Sequence, residues 1–298
     1  MPADGLFVVF NPRSGKGRGA RLVAPVLQAL GGDVAHGITA AAGDEERLTV
    51  EALGRGFRRI VAVGGDGTWS NVGNAIIRSG IDASLGLVPA GTGCDLAKSL
   101  GIPARDVAGC ARIARDGISL RIDVGRIEDR YFLNVAGFGF DIAVIEDSWT
   151  VRYLGGDLLY LFCALRQLHR FPGFPVSLAV DGEPPARREM LMLVVANARI
   201  FGGGFKIAPA ADLADGQLDV VTFANMPLLR RMSILGRLLR GTHAGAVEVG
   251  TRRGRLIGLQ FDAPPAYETD GEWHRAASAA LTVESVPAAL RVLVPRQA

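Results

Sequence analysis

Three short apolar runs in the first third of the chain each stop at a glycine-rich turn. LFVVF (Leu6 to Phe10) runs into NPRSGKGRG, IVAV (residues 60–63) into GGDGTWSN, and LGLVP (residues 85–89) into AGTGCDLA. A continuous apolar run bounded by turn residues is the pattern of a strand buried on both faces. Helical spacing falls between the runs: residues 21–30, stopped by Gly31-Gly32, residues 44–54 with an acidic first turn, and residues 70–78. DVAHGIT adds a strand between the first two helices, and residues 94–100 open a helix that ends before Gly101-Ile-Pro103. Strands alternating with helices predict an α/β layer around a parallel sheet.

Near Leu120 the rhythm changes. RIDVGRIE, RYFLNVAGFGF, FPVSLAVDG, REMLMLVVANARI, GQLDVVTFA, RLIGLQF, AYETDGEW and ALTVESV are strand-like runs separated by Gly, Pro or Asp turns. Only residues 154–170 and 227–240 read as helices there. Many strands with few helices predict a β-rich antiparallel sheet or sandwich. The expected division is an α/β domain over residues 1–122 and a β-rich domain over 123–286. The tail, 287–298, is expected to return to the first domain. A length of 298 residues at 49% hydrophobic content is enough for two such cores.

Composition excludes several classes. A formal net charge of +3 gives no global attraction to nucleic acid. Three cysteines without CxxC or Cys/His spacing argue for a reducing compartment and against a disulfide framework or zinc site. MPADGLFVVFNP does not read as a signal peptide, and LLYLFCAL (residues 158–165) is far short of the about 20 apolar residues of a membrane span. The expectation is a soluble, cytoplasmic protein, or one lying on the inner face of a membrane.

In an open α/β sheet, ligands bind beyond the carboxyl ends of the strands. Glycine there permits positive φ and close approach of a ligand to backbone N–H groups. One such loop can be no more than a tight turn; three at strand ends in one domain point to a phosphate cradle. Neither the P-loop nor the dinucleotide fingerprint is spelled: Phe10 stands where a P-loop has its first glycine, and Gly17 where it has a hydroxyl. Asp66 sits among these donors, where a carboxylate would repel phosphate unless a cation such as Mg²⁺ lay between. Thr68 is placed to cap the following helix and to offer a hydroxyl to phosphate.

NPRSGKG (Asn11 to Gly17), GGDGT (Gly64 to Thr68) and PAGTGCDLA (Pro89 to Ala97) resemble the diacylglycerol kinase catalytic-domain family, which includes bacterial diacylglycerol kinases, sphingosine kinases and ceramide kinases. The resemblance continues through NVAGFGFD (Asn134 to Asp141), ADLADGQLDVV (Ala211 to Val221) and TDGEW (Thr269 to Trp273). Motifs in this order cover nearly the whole chain, whereas GGDGT alone is shared with NAD kinases. The resemblance implies ATP bound between the two domains, held by Asn11, Ser14, Gly15, Thr39, Gly64, Gly65, Asp66, Gly67, Thr68, Asn71, Gly91, Thr92 and Asp95. It implies Mg²⁺ at the phosphates near Asp66, and a structural Mg²⁺ on the Asp215 side chain and the carbonyls of Asp212 and Gln217. Asp270 and Glu272 are its candidate general bases, taken to share one face of an extended strand, with Asp270 the first choice; Lys16 and Asp123 would support them. Asp141 matches a substrate-hydroxyl contact of sphingosine kinases. Cys94 departs from the family, which has Asn there.

Residues 228, 232, 235 and 239 line one helical face with Leu, Met, Leu and Leu, while Arg230, Ser233, Arg237 and Arg240 line the opposite one. Two readings stay open for residues 227–240: a cover for the β-rich domain, or a peripheral contact with anionic lipid. The stretch 153–171, YLGGDLLYLFCALRQLHRF, is read as a buried helix or as part of a lipid cleft. The function this implies is an ATP- and Mg²⁺-dependent lipid kinase acting on diacylglycerol, with ceramide or a sphingoid base as alternatives. A soluble-substrate kinase such as NAD kinase and a non-catalytic nucleotide-binding regulator are the rivals; a homodimer is left open.

Overall fold

A computed structural model describes residues 5–151 and 157–296. The chain divides into two compact units, Met1–Val124 with Leu213–Asp215 and Pro287–Ala298, and Gly125–Asp212 with Gly216–Val286. In chain order the first stretch forms β1 (Leu6–Phe10), α1 (Ser14–Ala29), β2 (His36–Ile38), α2 (Asp44–Gly54), β3 (Arg59–Gly64) and α3 (Asp66–Ser79). It continues through β4 (Ser84–Pro89), α4 (Asp95–Ser99), α5 (Val107–Asp116) and β5 (Ile118–Ile127). Then come β6 (Arg130–Phe132), β7 (Val135–Gly139), α6 (Phe140–Ser148), α7 (Asp157–Arg170), β8 (Phe174–Val180), β9 (Ala186–Ala196), β10 (Leu218–Ala224) and α8 (Leu228–Arg240). The last elements are β11 (Val249–Gly254), β12 (Leu256–Gln260), β13 (Ala266–Thr269), β14 (Glu272–Arg275) and β15 (Ala280–Val294).

The first unit is the α/β domain with a parallel sheet. Its strands lie in the order β2-β1-β3-β4, all parallel, and Arg291 and Val292 of β15 extend the ladder beside Ser84 and Leu85. Every residue of β1 is buried, as is β3 from Ile60 and β4 from Leu85, so continuous apolar runs became doubly covered strands. Because β1, β3 and β4 are neighbours and point the same way, their three glycine-rich exits emerge side by side.

The second unit is β-rich and antiparallel, with β14-β13-β7-β9-β8-β12-β15 in order and β10 and β11 branching from β9. Alternate residues of β9 feed two cores: Leu193 and Val195 join Phe138, Phe261 and Tyr267, while Met192 and Val194 join Val221, Phe223, Ile234 and Leu238.

Several elements differ from expectation. Helix α3 begins at Asp66, four residues before Ser70, so GGDGT enters the helix itself. Helix α5 was not legible because its core face is built from Cys110, Ala111 and Ala114; Asp106 caps it by accepting from Gly109 N–H at 2.8 Å. The apolar run RYFLNVAGFGF is broken at Leu133-Asn134, and its end turns at Gly139 (φ 99°) into α6. Residues 154–156 of the expected helix 154–170, and residues 153–156 of the lipid-cleft stretch, lie outside the described residues. Among the described residues, no helix is long and apolar enough to cross a membrane.

Candidate active site

The three glycine loops of the first unit pack on one another by backbone contact. A Cβ on Gly15 would run into the Ala90 carbonyl, and one on Gly91 would come within 2.7 Å of Gly65 Cα. Side chains are excluded there by the neighbouring loop, so close loop packing is one reason for the glycines, alongside ligand approach. Gly15, Lys16 and Gly17 are all left-handed (φ 57°, 59° and 85°). Glycines on either side of Lys16 admit this left-handed turn, which closes with Gly17 N–H donating to the Arg13 carbonyl at 3.4 Å. Next to it, α3 starts at Asp66 behind Gly65, which has no side chain to cap the first N–H groups. An uncapped N-terminus of a 14-residue helix attracts negative charge through those donors and the helix dipole. Donors of this kind are the ones that bind phosphate groups.

Asn11 ties the loops to the helices. Its amide donates to Glu45 Oε1 and to Thr68 Oγ1, both at 3.0 Å, and its oxygen accepts from Arg13 N–H. Thr68 is therefore not the cap of α3; its hydroxyl lies inside the first turn as the acceptor of Asn11. Glu45, buried in α2, is a site residue that sequence reading missed, because an acidic first turn is ordinary helix chemistry. Thr39, at the end of β2, is buried and donates its N–H to the Phe10 carbonyl. Ser14 and Asn71 are half-buried in α1 and α3, whereas Thr92 is exposed.

Asp66 is half-buried, and its Oδ1 accepts from Leu96 N–H at 3.2 Å. Asp95 is buried and paired with Lys98 at 2.9 Å. Between them Cys94 adopts a left-handed conformation (φ 52°, ψ 47°), which Asn tolerates better than Cys. Its thiol faces the Gly64 carbonyl at 3.9 Å, and burial with Asp66 nearby pushes it up to about 12. It is a packed thiol rather than a nucleophile.

In the second unit TDGE is a turn rather than an extended strand. Thr269 pairs with Glu272 across β13 and β14, and Asp270 (φ 52°) and Gly271 (φ 88°) are the two left-handed residues of a hairpin. Asp-Gly is the dipeptide this turn selects, so the cue was present in the sequence. Asp270 and Glu272 thus do not share a strand face. Asp270 is buried and collects the break in the neighbouring strand: Oδ2 accepts from Leu133 N–H at 2.8 Å, and Oδ1 from Asn134 and Val135 N–H at 2.8 and 3.2 Å. Its own N–H donates to the Val135 carbonyl. An ionised carboxylate offers about four acceptor sites, and three of these are taken by backbone. Glu272, two residues on, is half-buried at the start of β14.

The hairpin has a second brace that sequence reading did not single out. Glu268, buried in β13, accepts from Gly271 N–H at 2.6 Å. A Cβ on Gly137 would collide with Asp141 Oδ2 and lie 2.9 Å from Glu268 Oε1, so the two buried carboxyl groups meet over that glycine. Asp141 Oδ1 accepts from Ile142 N–H, and burial pushes the acid up to about 7. Asp141 and Glu268 are thus neighbours beneath the turn that carries Glu272. His274 shares a 2.9 Å hydrogen bond with Thr269 Oγ1, and burial lowers it to about 4, which keeps it neutral.

Lys16 is exposed in the left-handed loop. Asp123 is buried, accepting from Ala288 N–H at 2.7 Å and donating its own N–H to the Leu213 carbonyl. That second bond anchors the turn bearing Asp212, Asp215 and Gln217, where Asp212 is exposed and the other two are half-buried. The set that the resemblance implies, one carboxylate and two carbonyls, would be all oxygen, the chemistry Mg²⁺ accepts. Among the described residues, no group of three or more His, Cys, Asp or Glu side chains is placed to hold a metal, and this oxygen set does not call for one.

The profile of the diacylglycerol kinase catalytic domain matches residues 5–127, and that of the YegS C-terminal NAD kinase beta sandwich-like domain matches residues 134–294. A diacylglycerol kinase of Mycobacterium tuberculosis is 31% identical over 294 residues, covering 96% of this chain and 94% of that protein. A diacylglycerol kinase of Bacillus subtilis is 29% identical over 270 residues, 89% of each chain. A Pseudomonas aeruginosa protein named "Probable lipid kinase YegS-like" is 31% identical over 300 residues, 99% of this chain and 96% of that one. The crystal structure of a diacylglycerol kinase from Bacillus anthracis superposes with a TM-score of 0.75 at 20% identity, covering 99% of this chain and 98% of that one, and so shares the fold.

Proposed function

This chain belongs to the diacylglycerol kinase family of lipid kinases, and from that premise we propose that it transfers the γ-phosphoryl group of ATP to a hydroxyl of a neutral lipid, diacylglycerol first. The observation that carries the reading is the uncapped N-terminus of α3, set among the glycine-rich ends of β1, β3 and β4 that pack on one another. Phosphoryl transfer asks a protein mainly for positioning and for charge stabilisation, which the donors of such a terminus supply. Mg²⁺, when bound, supplies further neutralisation of the phosphates; Asp66 fits that role, and Asp215 with the Asp212 and Gln217 carbonyls fits a separate structural ion. Asp66 also holds the start of α4 through Leu96 N–H, coupling two of the three loops.

Glu272 is the residue we assign to remove the acceptor hydroxyl's proton, a task worth about 10²–10⁴-fold in rate. Asp270, with both oxygens committed to backbone donors, acts as a positioning residue that fixes the hairpin presenting Glu272. ATP supply puts such an enzyme on the cytoplasmic side of a membrane.

The test is ³²P transfer from ATP, with and without Mg²⁺, to diacylglycerol, ceramide and sphingosine in mixed micelles, with NAD as a soluble control. Labelled diacylglycerol that disappears without Mg²⁺ and in Asp66→Ala supports the reading. Label on ceramide or sphingosine alone moves the substrate to a sphingolipid. Label on NAD alone, or ATP binding without any transfer, overturns it.

A further inference from the structure

Helix α8 buries an unexpected face. The stripe of Leu228, Met232, Leu235 and Leu239 is not the side that covers the β-rich unit; the buried residues are Arg231, Ile234 and Leu238. Leu229 is 80% exposed, Met232 and Leu239 are each 54% exposed, and Leu228 is 39% exposed. Arg231 sets this rotation. Its guanidinium donates to the carbonyls of Met226, Leu168 and Phe171 and to Asn225 Oδ1, each at 2.8 Å. A side chain so fully engaged fixes which way the helix faces, so the leucines remain outside at the cost of exposed apolar surface.

The rest of the helix says what covers them. LLRRMSILGRLLR contains four arginines and no acid. At 3.6 residues per turn the outward arc runs from Leu228, Leu239 and Met232 through Leu229 to Arg240, which borders Leu229, and then to Arg237 and Arg230. The three arginines are exposed. Arg230 is paired with Glu248 at 2.6 Å, and Arg240 Nε donates to the Gly236 carbonyl of its own helix. An apolar stripe with a basic flank matches a bilayer interface, where acyl chains meet anionic headgroups. A second copy of the chain would set arginine flank against arginine flank.

We propose that α8 is the membrane-docking element of this protein, inserting Leu228, Leu229, Met232 and Leu239 at the interface of an anionic bilayer, with Arg237 and Arg240 on its headgroups. For its substrate arm the proposal rests on the lipid-kinase reading; its binding arm stands without it.

The test is sedimentation of the full chain with phosphatidylcholine vesicles, with or without phosphatidylglycerol, run beside kinase assays on diacylglycerol in those vesicles and on a short-chain, water-dispersed diacylglycerol. Wild type should sediment with the phosphatidylglycerol vesicles. Leu229→Glu/Met232→Glu should weaken that binding by on the order of tenfold or more per side chain. Arg237→Glu/Arg240→Glu should weaken it by about fivefold per arginine at low salt. Both variants should lose activity on vesicle substrate and keep it on dispersed substrate, with an unchanged melting temperature because every altered side chain is exposed. Vesicle binding that is the same in the leucine variant and wild type overturns the proposal, as does equal binding to neutral and anionic vesicles. So does a wild-type dimer that the leucine variant splits while vesicle binding is unaltered. Vesicle binding that follows these rules without phosphorylation of any diacylglycerol would sink the kinase substrate and leave the docking surface standing.

Discussion

Replacing Asp270 by Asn separates a positioning acid from a catalytic one. The carboxylate accepts three backbone N–H groups, from Leu133, Asn134 and Val135, inside a buried hairpin. An amide can keep one acceptor oxygen. If that oxygen takes the two bonds made by Oδ1, the new NH₂ group faces Leu133 N–H, donor against donor. The buried N–H left unsatisfied costs roughly 1–3 kcal/mol, and two charge-assisted bonds weakened to neutral ones lose about 1 kcal/mol each. The total is on the order of 3–5 kcal/mol. Asn tolerates the left-handed backbone at this position as well as Asp does, so no conformational penalty confuses the comparison. In a unit of this size such a loss lowers Tm by roughly 10 °C. Glu272→Gln, at a half-buried position, should leave Tm within a degree or two of wild type and reduce kcat by about 10²–10⁴-fold. Differential scanning fluorimetry and initial rates taken well below the transition read both effects. An Asp270→Asn protein with wild-type Tm and no turnover, beside a near-normal Glu272→Gln, would refute the assignment and make Asp270 the base.

Asp141 should make stability depend on pH. Burial carries its acid from 3.8 to about 7, so the folded chain keeps a proton that the unfolded chain releases. Stability therefore falls as pH rises from about 4 to about 7 and levels off above that. Asp141→Asn should flatten the slope, gaining on wild type by on the order of 2–4 kcal/mol between acid and pH 8; parallel curves of Tm against pH would contradict it. Cys94→Asn should relieve left-handed strain and set an amide near the Gly64 carbonyl, raising stability by about 1 kcal/mol, read as a Tm increase of roughly 2–4 °C; a fall of that size would show the pocket is shaped for sulfur. Asp215→Ala should raise the Mg²⁺ concentration giving half-maximal activity with little change in kcat at saturating metal, and an unchanged Mg²⁺ titration would remove Asp215 from metal binding.

The glycine loops were legible because their partners are local: each follows its strand directly, and a parallel sheet brings the strand exits to one end. What the sequence did not reveal is that Gly15, Gly65 and Gly91 also make room for neighbouring loops. The hairpin at Asp270-Gly271 had a direct cue in its dipeptide, which an extended-strand reading passed over. Helix α8 was legible as amphipathic, but its buried face was not, because Arg231 displaces the leucine stripe from the core.

By itself the sequence determined that the chain folds as an α/β layer followed by a β-rich unit, that glycine-rich loops end the first strands, and which acids are candidates for the chemistry. Apolar runs, turn residues and helix periodicity act over a few neighbours, so those features can be read along the chain. The tertiary structure decided what each acid does. Asp270 becomes a backbone brace because Leu133, 137 positions away, breaks its strand and presents an N–H there. Asp141 holds its proton because folding buries it beside Glu268 over Gly137, and the leucines of α8 face out because Arg231 is held by the carbonyls of Leu168 and Phe171, 63 and 60 positions away, together with Met226 and Asn225 just before the helix. Charge state and facing depend on burial and on distant donors, and neither is written in local spacing.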